Sequence, residues 1–167
     1  LKDAPRRRCH VFLATSPIHR DFKLKLAKDE IIKRSVDGVK LAREKFDDIE
    51  FSAEDATRSD WEYLAQVYSA VIEAGATTLN VPDTVGYTVP SDYARLIASI
   101  RERVPNLGDT IVSVHCHNDL GLAVANSFAG LQAGCRQIEC AVNGIGERAG
   151  NASLEEIVML LRVREAE

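Results

Sequence analysis

The chain has 167 residues, 46% of them hydrophobic and 28% charged, the balance of a soluble globular domain with a core of its own. A formal net charge of -4 excludes a general nucleic-acid surface, which needs a clustered basic excess. No apolar run reaches membrane-spanning length, and Cys9, Cys116, Cys135 and Cys140 show neither a CxxC nor a disulfide-framework spacing, so reduced thiols in a cytoplasmic setting are expected.

The short basic run Arg6-Arg7-Arg8 reads as a solvated turn before a first strand at His10–Thr15. A helix from Lys28 to Phe46 follows, with Ile32, Val36 and Val39 at helical spacing. Ile49–Glu54 is the second strand, with Glu50, Ser52 and Glu54 on one face and Phe51 on the other. Ser59-Asp60-Trp61-Glu62 matches a capping box. It opens a helix whose stripe of Trp61, Leu64, Val67, Tyr68, Val71 and Ile72 stops at Gly75. Thr77–Val81 is the third strand, and a helix from near Ser91 carries Tyr93, Leu96, Ile97 and Ile100 until Pro105 bars it. The fourth strand, Ile111–Val114, runs into His115-Cys116-His117-Asn118-Asp119. A helix of small residues, Leu122–Ala133, closes at Gly134. Arg136–Val142 is the fifth strand, and a last helix near Ser153–Val163 opens on its own Ser153/Glu156 box.

Strands alternating with helices imply an α/β protein with a parallel sheet of right-handed βαβ units. Strand starts recur about every 25–40 residues, as in a (β/α)8 barrel or a doubly wound sheet. Nothing divides the chain, so residues 1–167 form one domain or part of one. Five units fall short of the eight strands and about 250 residues of a closed barrel.

Chemistry gathers at the strand ends. Residues i and i+2 of a strand share a face, so His115 and His117 project together and Cys116 projects away. Two adjacent imidazoles suit a divalent metal, although two hydrogen-bonded structural histidines are an equal reading of an isolated HxH. The third strand ends in Asn80-Val81-Pro82-Asp83-Thr84 and the fifth in Asn143-Gly144-Ile145-Gly146-Glu147-Arg148-Ala149-Gly150-Asn151. The glycines of the latter are spaced one residue too widely for a dinucleotide fingerprint, and let backbone approach closely or take φ > 0. Asn151 reads equally as a ligand or as the N-cap of the last helix. Asp119 reads as a charge at a helix N-terminus ahead of a catalytic role, and His10 as a lining or a core residue.

The segments HVFLATSPIH, EFSAEDATRSD, TTLNVPDTVGYTVP, SVHCHNDLGLAVANS and NGIGERAGNASLEE, spread from about His10 to Leu161, resemble the 2-isopropylmalate synthase family. That family stands among acyl-CoA-dependent Claisen-type synthases and related lyases, with the homocitrate and citramalate synthases. The resemblance implies that residues 1–167 are a partial catalytic (β/α)8 TIM-barrel domain carrying the fourth to eighth strands. It implies a divalent metal, Mn2+ foremost with Zn2+ or Mg2+ as alternatives, held by His115, His117 and the amide oxygen of Asn151. Thr84 would stand beside the substrate carboxylate, Glu50 in contact with substrate, and Glu147 in the catalytic centre, supporting a histidine base from a downstream region. The implied reaction condenses acetyl-CoA with 3-methyl-2-oxobutanoate to 2-isopropylmalate and CoA, the first committed step of leucine biosynthesis. The aspartate ligand of the family's first strand has no counterpart here. Activity is therefore expected of a full-length protein, a cytoplasmic homodimer (or a plastid one behind a transit segment). The chain alone is expected to be inactive and to self-associate through open sheet edges. A related homocitrate or citramalate synthase, or a non-catalytic assembly module, are the alternative readings.

Overall fold

The computed structural model describes residues 3–164; residues 1–2 and 165–167 of the expected domain lie outside them. Among the described residues, β1 (Arg8–Ala14), β2 (Asp48–Glu54), β3 (Thr78–Asp83), β4 (Ile111–Cys116) and β5 (Gln137–Glu139) form one parallel sheet in unbroken chain order. The strands alternate with α1 (Lys28–Arg43), α2 (Trp61–Ala74), α3 (Pro90–Arg103) and α4 (Ala123–Gln132), and α5 (Leu154–Val163) follows β5. A doubly wound sheet reverses its strand order part-way. Here each right-handed crossover advances the sheet in the same direction, so the helices stack on one face and the other face stays free. That is the arrangement of a barrel arc.

The hydrophobic core lies between sheet and helices. Ile49, Phe51 and Ala53 of β2, Leu79 and Val81 of β3, and Val112, Val114 and Cys116 of β4 point into it. They meet Ile31 and Val39 of α1, Leu64, Val67, Tyr68 and Val71 of α2, and Tyr93, Ile97 and Ile100 of α3. A parallel strand covered on both faces reads as a continuous apolar run. These strands alternate, and their inward residues are Glu50, Ser52, Thr78, Asn80, Ser113, His115, Gln137 and Glu139. The sequence therefore marks a free face lined with polar groups.

Several boundaries differ from expectation for local reasons. β1 starts at Arg8, because Arg8 stands in register with Asp48 and binds its carboxylate at 3.0 Å. β5 ends at Glu139 instead of Val142: Ala141 bridges Ser153, and Val142–Gly144 coils into a 3₁₀ turn with Asn143 at φ 57°. α2 is capped by Asp60, whose carboxylate accepts from Tyr63 N at 2.8 Å. Ser59, the expected cap, instead shares a hydrogen bond of 2.7 Å with Thr15 and donates to Asp55 O at 3.0 Å. Trp61, expected in the apolar stripe, is exposed at the helix start. Ser153 caps α5 as its box predicts, which removes Asn151 from that role. A π-helical turn, His19–Leu24, leaves no signal in the apolar pattern, because it buries none of its residues.

β3 is held from behind. It pairs with β2 only from Glu50↔Thr78 to Ser52↔Asn80, and Pro82 has no N–H to offer. The buried Tyr68 hydroxyl donates to Asn80 O at 2.8 Å, and the buried Tyr93 hydroxyl donates to Val81 O. Tyr93→Phe removes a second, buried donor from Val81 O, whose strand also pairs with β4 in register, and a loss of about 1 kcal/mol is expected. Urea unfolding should show it as a lower midpoint at unchanged slope; an unmoved midpoint would show that the β4 pairing alone satisfies the carbonyl.

Candidate functional site

A polar chain crosses the free face. The Arg8 guanidinium on β1 reaches Glu50 on β2 at 2.9 Å and Gln137 on β5 at 2.7 Å. Gln137 donates to Glu50 at 3.2 Å and to Ser113 at 2.9 Å, and Ser113 donates to Glu139 at 3.1 Å. Glu139, in register beside His115, takes the His115 Nδ1 at 2.9 Å. That partner leaves the His115 Nε2 pointing away, 3.1 Å from the His117 Nε2. Two metal–imidazole bonds of about 2.1 Å to one cation, meeting roughly at a right angle, span this same gap.

The third expected ligand is brought in by backbone pairing. Asn118 N donates to Gly150 O at 2.9 Å and Ala152 N to Cys116 O at 3.1 Å, which makes His117 and Asn151 an antiparallel bridge pair. Their own N–H and C=O groups do not bond each other, so this is the narrow kind of pair, with both side chains on one face. The loop before Asn151 is wrapped closely around its carboxamide. A Cβ on Gly146 would lie 2.2 Å from Asn151 Nδ2, and one on Gly150 would lie 2.1 Å from Gly144 O. The Asn151 amide oxygen is buried with no hydrogen-bond partner in the structure. Such an acceptor is costly unless a ligand meets it. Two convergent imidazole nitrogens and an orphaned amide oxygen on the facing residue fit a divalent cation. Among the described residues, no cluster of three His, Cys, Asp or Glu side chains forms a site by itself.

His10, Phe12, Ser52, Glu54, Asn80, Pro82, Thr84, His115, His117 and Glu139 line a cavity of about 280 Å³ on the free face. Of the residues singled out in the sequence, His10, Ser52, Glu54, Asn80, Thr84, His115 and His117 are in this wall. Asn151, bridged to His117 through the backbone, lines a neighbouring cavity with Asn118, Gly144 and Ser153. Glu50 does not line the cavity: it is 5% exposed and paired with Arg8. Glu147 stands outside the wall with its side chain 72% exposed, 3.4 Å from Arg148. Sequence reasoning misses Glu139 and Arg148. Inward alternation along Gln137–Glu139 is the available signal for the first; the second has none, because its placement depends on a loop at φ 56°. Glu54 shares a strand face with Glu50, but it is the one at the rim, where Lys23 of the π-helical turn holds both its oxygens at 2.9 and 3.2 Å.

The electrostatics favour ligation by His117. Burial, then the neighbouring His115 and Arg148, lowers its pKa, which favours the neutral, ligating form of the ring. Burial alone would raise the Glu139 carboxyl, but hydrogen bonds led by that of His115 hold it well below the usual range. Burial, then the facing Glu139, pushes the Glu50 carboxyl upward.

The HMGL-like family model matches residues 2–167. The chain is 58% identical over 165 residues to 2-isopropylmalate synthase 1 of Caldanaerobacter subterraneus subsp. tengcongensis, covering 99% of this chain and 42% of that protein. It is also 58% identical over 165 residues to the 2-isopropylmalate synthase of Pyrococcus furiosus, covering 99% of this chain and 33% of that one. The chain thus spans 42% and 33% of the lengths of these two curated relatives. In structure it is similar to the hydroxymethylglutaryl-CoA lyase of Pseudomonas aeruginosa, with TM-score 0.81, 22% identity, and 96% and 56% of the two chains covered. The carboxyl transferase domain of Rhizobium etli pyruvate carboxylase gives TM-score 0.65 at 20% identity, covering 93% and 24%. These neighbours share the barrel-type fold.

The raised Glu50 carboxyl has a testable consequence. Above its ordinary pKa of 4.5, the folded chain keeps a proton there that the unfolded chain releases, so stability falls as pH rises toward neutrality. In Glu50→Gln that fall should flatten. Parallel slopes for the two proteins in denaturant titrations across this window would reject the assignment.

Proposed function

Because the chain belongs to the HMGL-like family, we propose that it is the metal-binding part of a 2-isopropylmalate synthase. In this reading the full-length protein condenses acetyl-CoA with 3-methyl-2-oxobutanoate, giving 2-isopropylmalate and CoA. The observation that carries the proposal is the convergence of the His115 and His117 rings on one wall, with an orphaned amide oxygen on Asn151, the residue bridged to His117. Mn2+ suits this mixture of two nitrogens and one amide oxygen. Held by His115, His117 and Asn151, it would act as a Lewis acid toward the keto group of the 2-oxo acid.

The other residues have work that does not pass through the ion. Thr84 Oγ1 accepts from Asp55 N at 2.9 Å, which leaves its own O–H to donate to a substrate carboxylate in the cavity. Pro82 and Phe12 give the wall apolar surface for a branched alkyl end, and Asn80, with a buried and unpartnered amide oxygen, can receive a donor from the ligand. Glu139 orients His115. Glu50 then acts through the Arg8–Gln137 chain that positions Glu139, and not by touching substrate. Exposed Glu147 supports a base contributed by another region of the full-length protein. Free cysteines support a cytoplasmic setting, and apolar Val158, Met159 and Val163 exposed on α5 support a homodimeric full-length protein.

Titration calorimetry of the chain with Mn2+ should show one site that weakens in Asn151→Ala and is lost in His117→Ala. Unchanged binding in both variants would mean that other groups hold the ion. For the full-length protein, CoA release should be fastest with 3-methyl-2-oxobutanoate; faster turnover of pyruvate or 2-oxoglutarate would move the assignment to a related synthase.

A further inference from the structure

Arg148 belongs to no ligand set, yet it grips one of the proposed ligands. Its Nε donates to Asp119 Oδ1 at 2.8 Å, while its Nη2 lies 2.7 Å from Thr84 O, 2.9 Å from His117 Nδ1 and 3.1 Å from Asp119 Oδ2. Its backbone sits at φ 56°, a conformation that is uncommon for a residue with a Cβ. Contacts to β3 and to the end of β4 keep it there. An arginine offers only N–H donors, so the contact with Nδ1 requires a lone pair on that ring nitrogen. A neutral imidazole then carries its single hydrogen on Nε2. In that tautomer the hydrogen faces His115 Nε2, which lies 3.1 Å away. The Glu139 carboxylate 2.9 Å from His115 Nδ1 selects the Nδ1–H tautomer of a neutral His115, whose Nε2 can then accept it. Arg148, His117, His115 and Glu139 thus form one chain of donors running in a single direction.

We propose that Arg148 is a latch that holds His117 in its non-ligating tautomer, and that loading of the divalent cation requires the guanidinium to withdraw from Nδ1. The inference rests on the reading of His115 and His117 as metal ligands. Coordination through Nε2 needs a lone pair at the nitrogen where this tautomer carries its hydrogen. The ring gains and loses no proton overall: its hydrogen passes from Nε2 to Nδ1 by exchange with water. Once there, it faces the N–H of Arg148 at the 2.9 Å contact, and attraction becomes repulsion. Thr84 O and Asp119 Oδ2, already gathered around Nη2, are the acceptors at hand for the moved hydrogen. His117 would then have the carbonyl or carboxylate partner that metal-bound imidazoles keep, as His115 already has in Glu139. Arg148 is a positioning residue in this scheme, acting on the cation only through His117.

Long-range 1H–15N correlation spectra of the labelled chain read the tautomer directly. In the metal-free chain the His117 hydrogen should be on Nε2, and saturating Zn2+ should move it to Nδ1. Arg148→Gln supplies a carbonyl oxygen in place of the donor. Its metal-free spectrum should shift toward the Nδ1–H form, and calorimetry should show Zn2+ binding tightened about tenfold. Arg148→Lys, which keeps a charge and a donor, should retain the original tautomer. A metal-free wild-type chain with the hydrogen on Nδ1 overturns the latch, even if Arg148→Gln is unfolded and cannot be compared. Tighter binding in Arg148→Gln without a change of tautomer also overturns it, since loss of charge would then suffice. Zn2+ binding that survives His117→Ala unchanged overturns the metal reading underneath, which the tautomer result leaves distinguishable.

Discussion

A row of charged and amide side chains on the inner face of a parallel sheet is tolerable only if each finds a partner, and that requirement organises this molecule. The Arg8 guanidinium ties the first strand to the second and reaches across the curved sheet to Gln137 of the last. From there Ser113 and Glu139 carry the same hydrogen-bonded chain to His115. The curvature of the arc and the orientation of the histidine ring are therefore set by one network. Glu50, buried within it, is a structural link that helps to aim an imidazole it does not touch.

The rim of the sheet shows a second economy of placement. The four described non-glycine residues with positive φ are Lys25, Asp55, Asn143 and Arg148. Lys25 ends the turn that carries Lys23 to Glu54, Asp55 follows that glutamate and gives its N–H to Thr84, and Asn143 and Arg148 flank the loop around Asn151. Backbone strain of this kind persists where surrounding contacts over-determine it, and it concentrates where side chains must be aimed. The glycines of that loop play the complementary part. Without side chains at 146 and 150, the backbone closes on the Asn151 amide and leaves its oxygen unpaired.

Fold and sequence relate the chain to its neighbours at different depths. At 22% identity to the Pseudomonas aeruginosa lyase, the common property is the fold. At 58% identity over 165 residues, the likeness to the curated synthases extends from fold to sequence along nearly the whole of this chain. The fold provides the rim, and the donors set upon it give the chemistry.

Much of this is legible along the chain. Helical stripes and strand alternation are local properties, set by periods of 3.6 and 2, so five βα units, the inward pairing of His115 with His117, and the polarity of one sheet face all follow from spacing. Strand order is not legible, because barrel arcs and doubly wound sheets share the same local alternation. Nor are the roles of Asp60 and Ser59, adjacent residues that both suit a cap; contact with Thr15 and Asp55 decides between them. Which side chains stand at the strand ends is thus written in the order of residues. That Asn151 meets His117, that Glu50 serves Arg8 and that Arg148 holds a histidine nitrogen emerges only on folding. Those pairings join segments brought together by the sheet and its loops, and no local period encodes them.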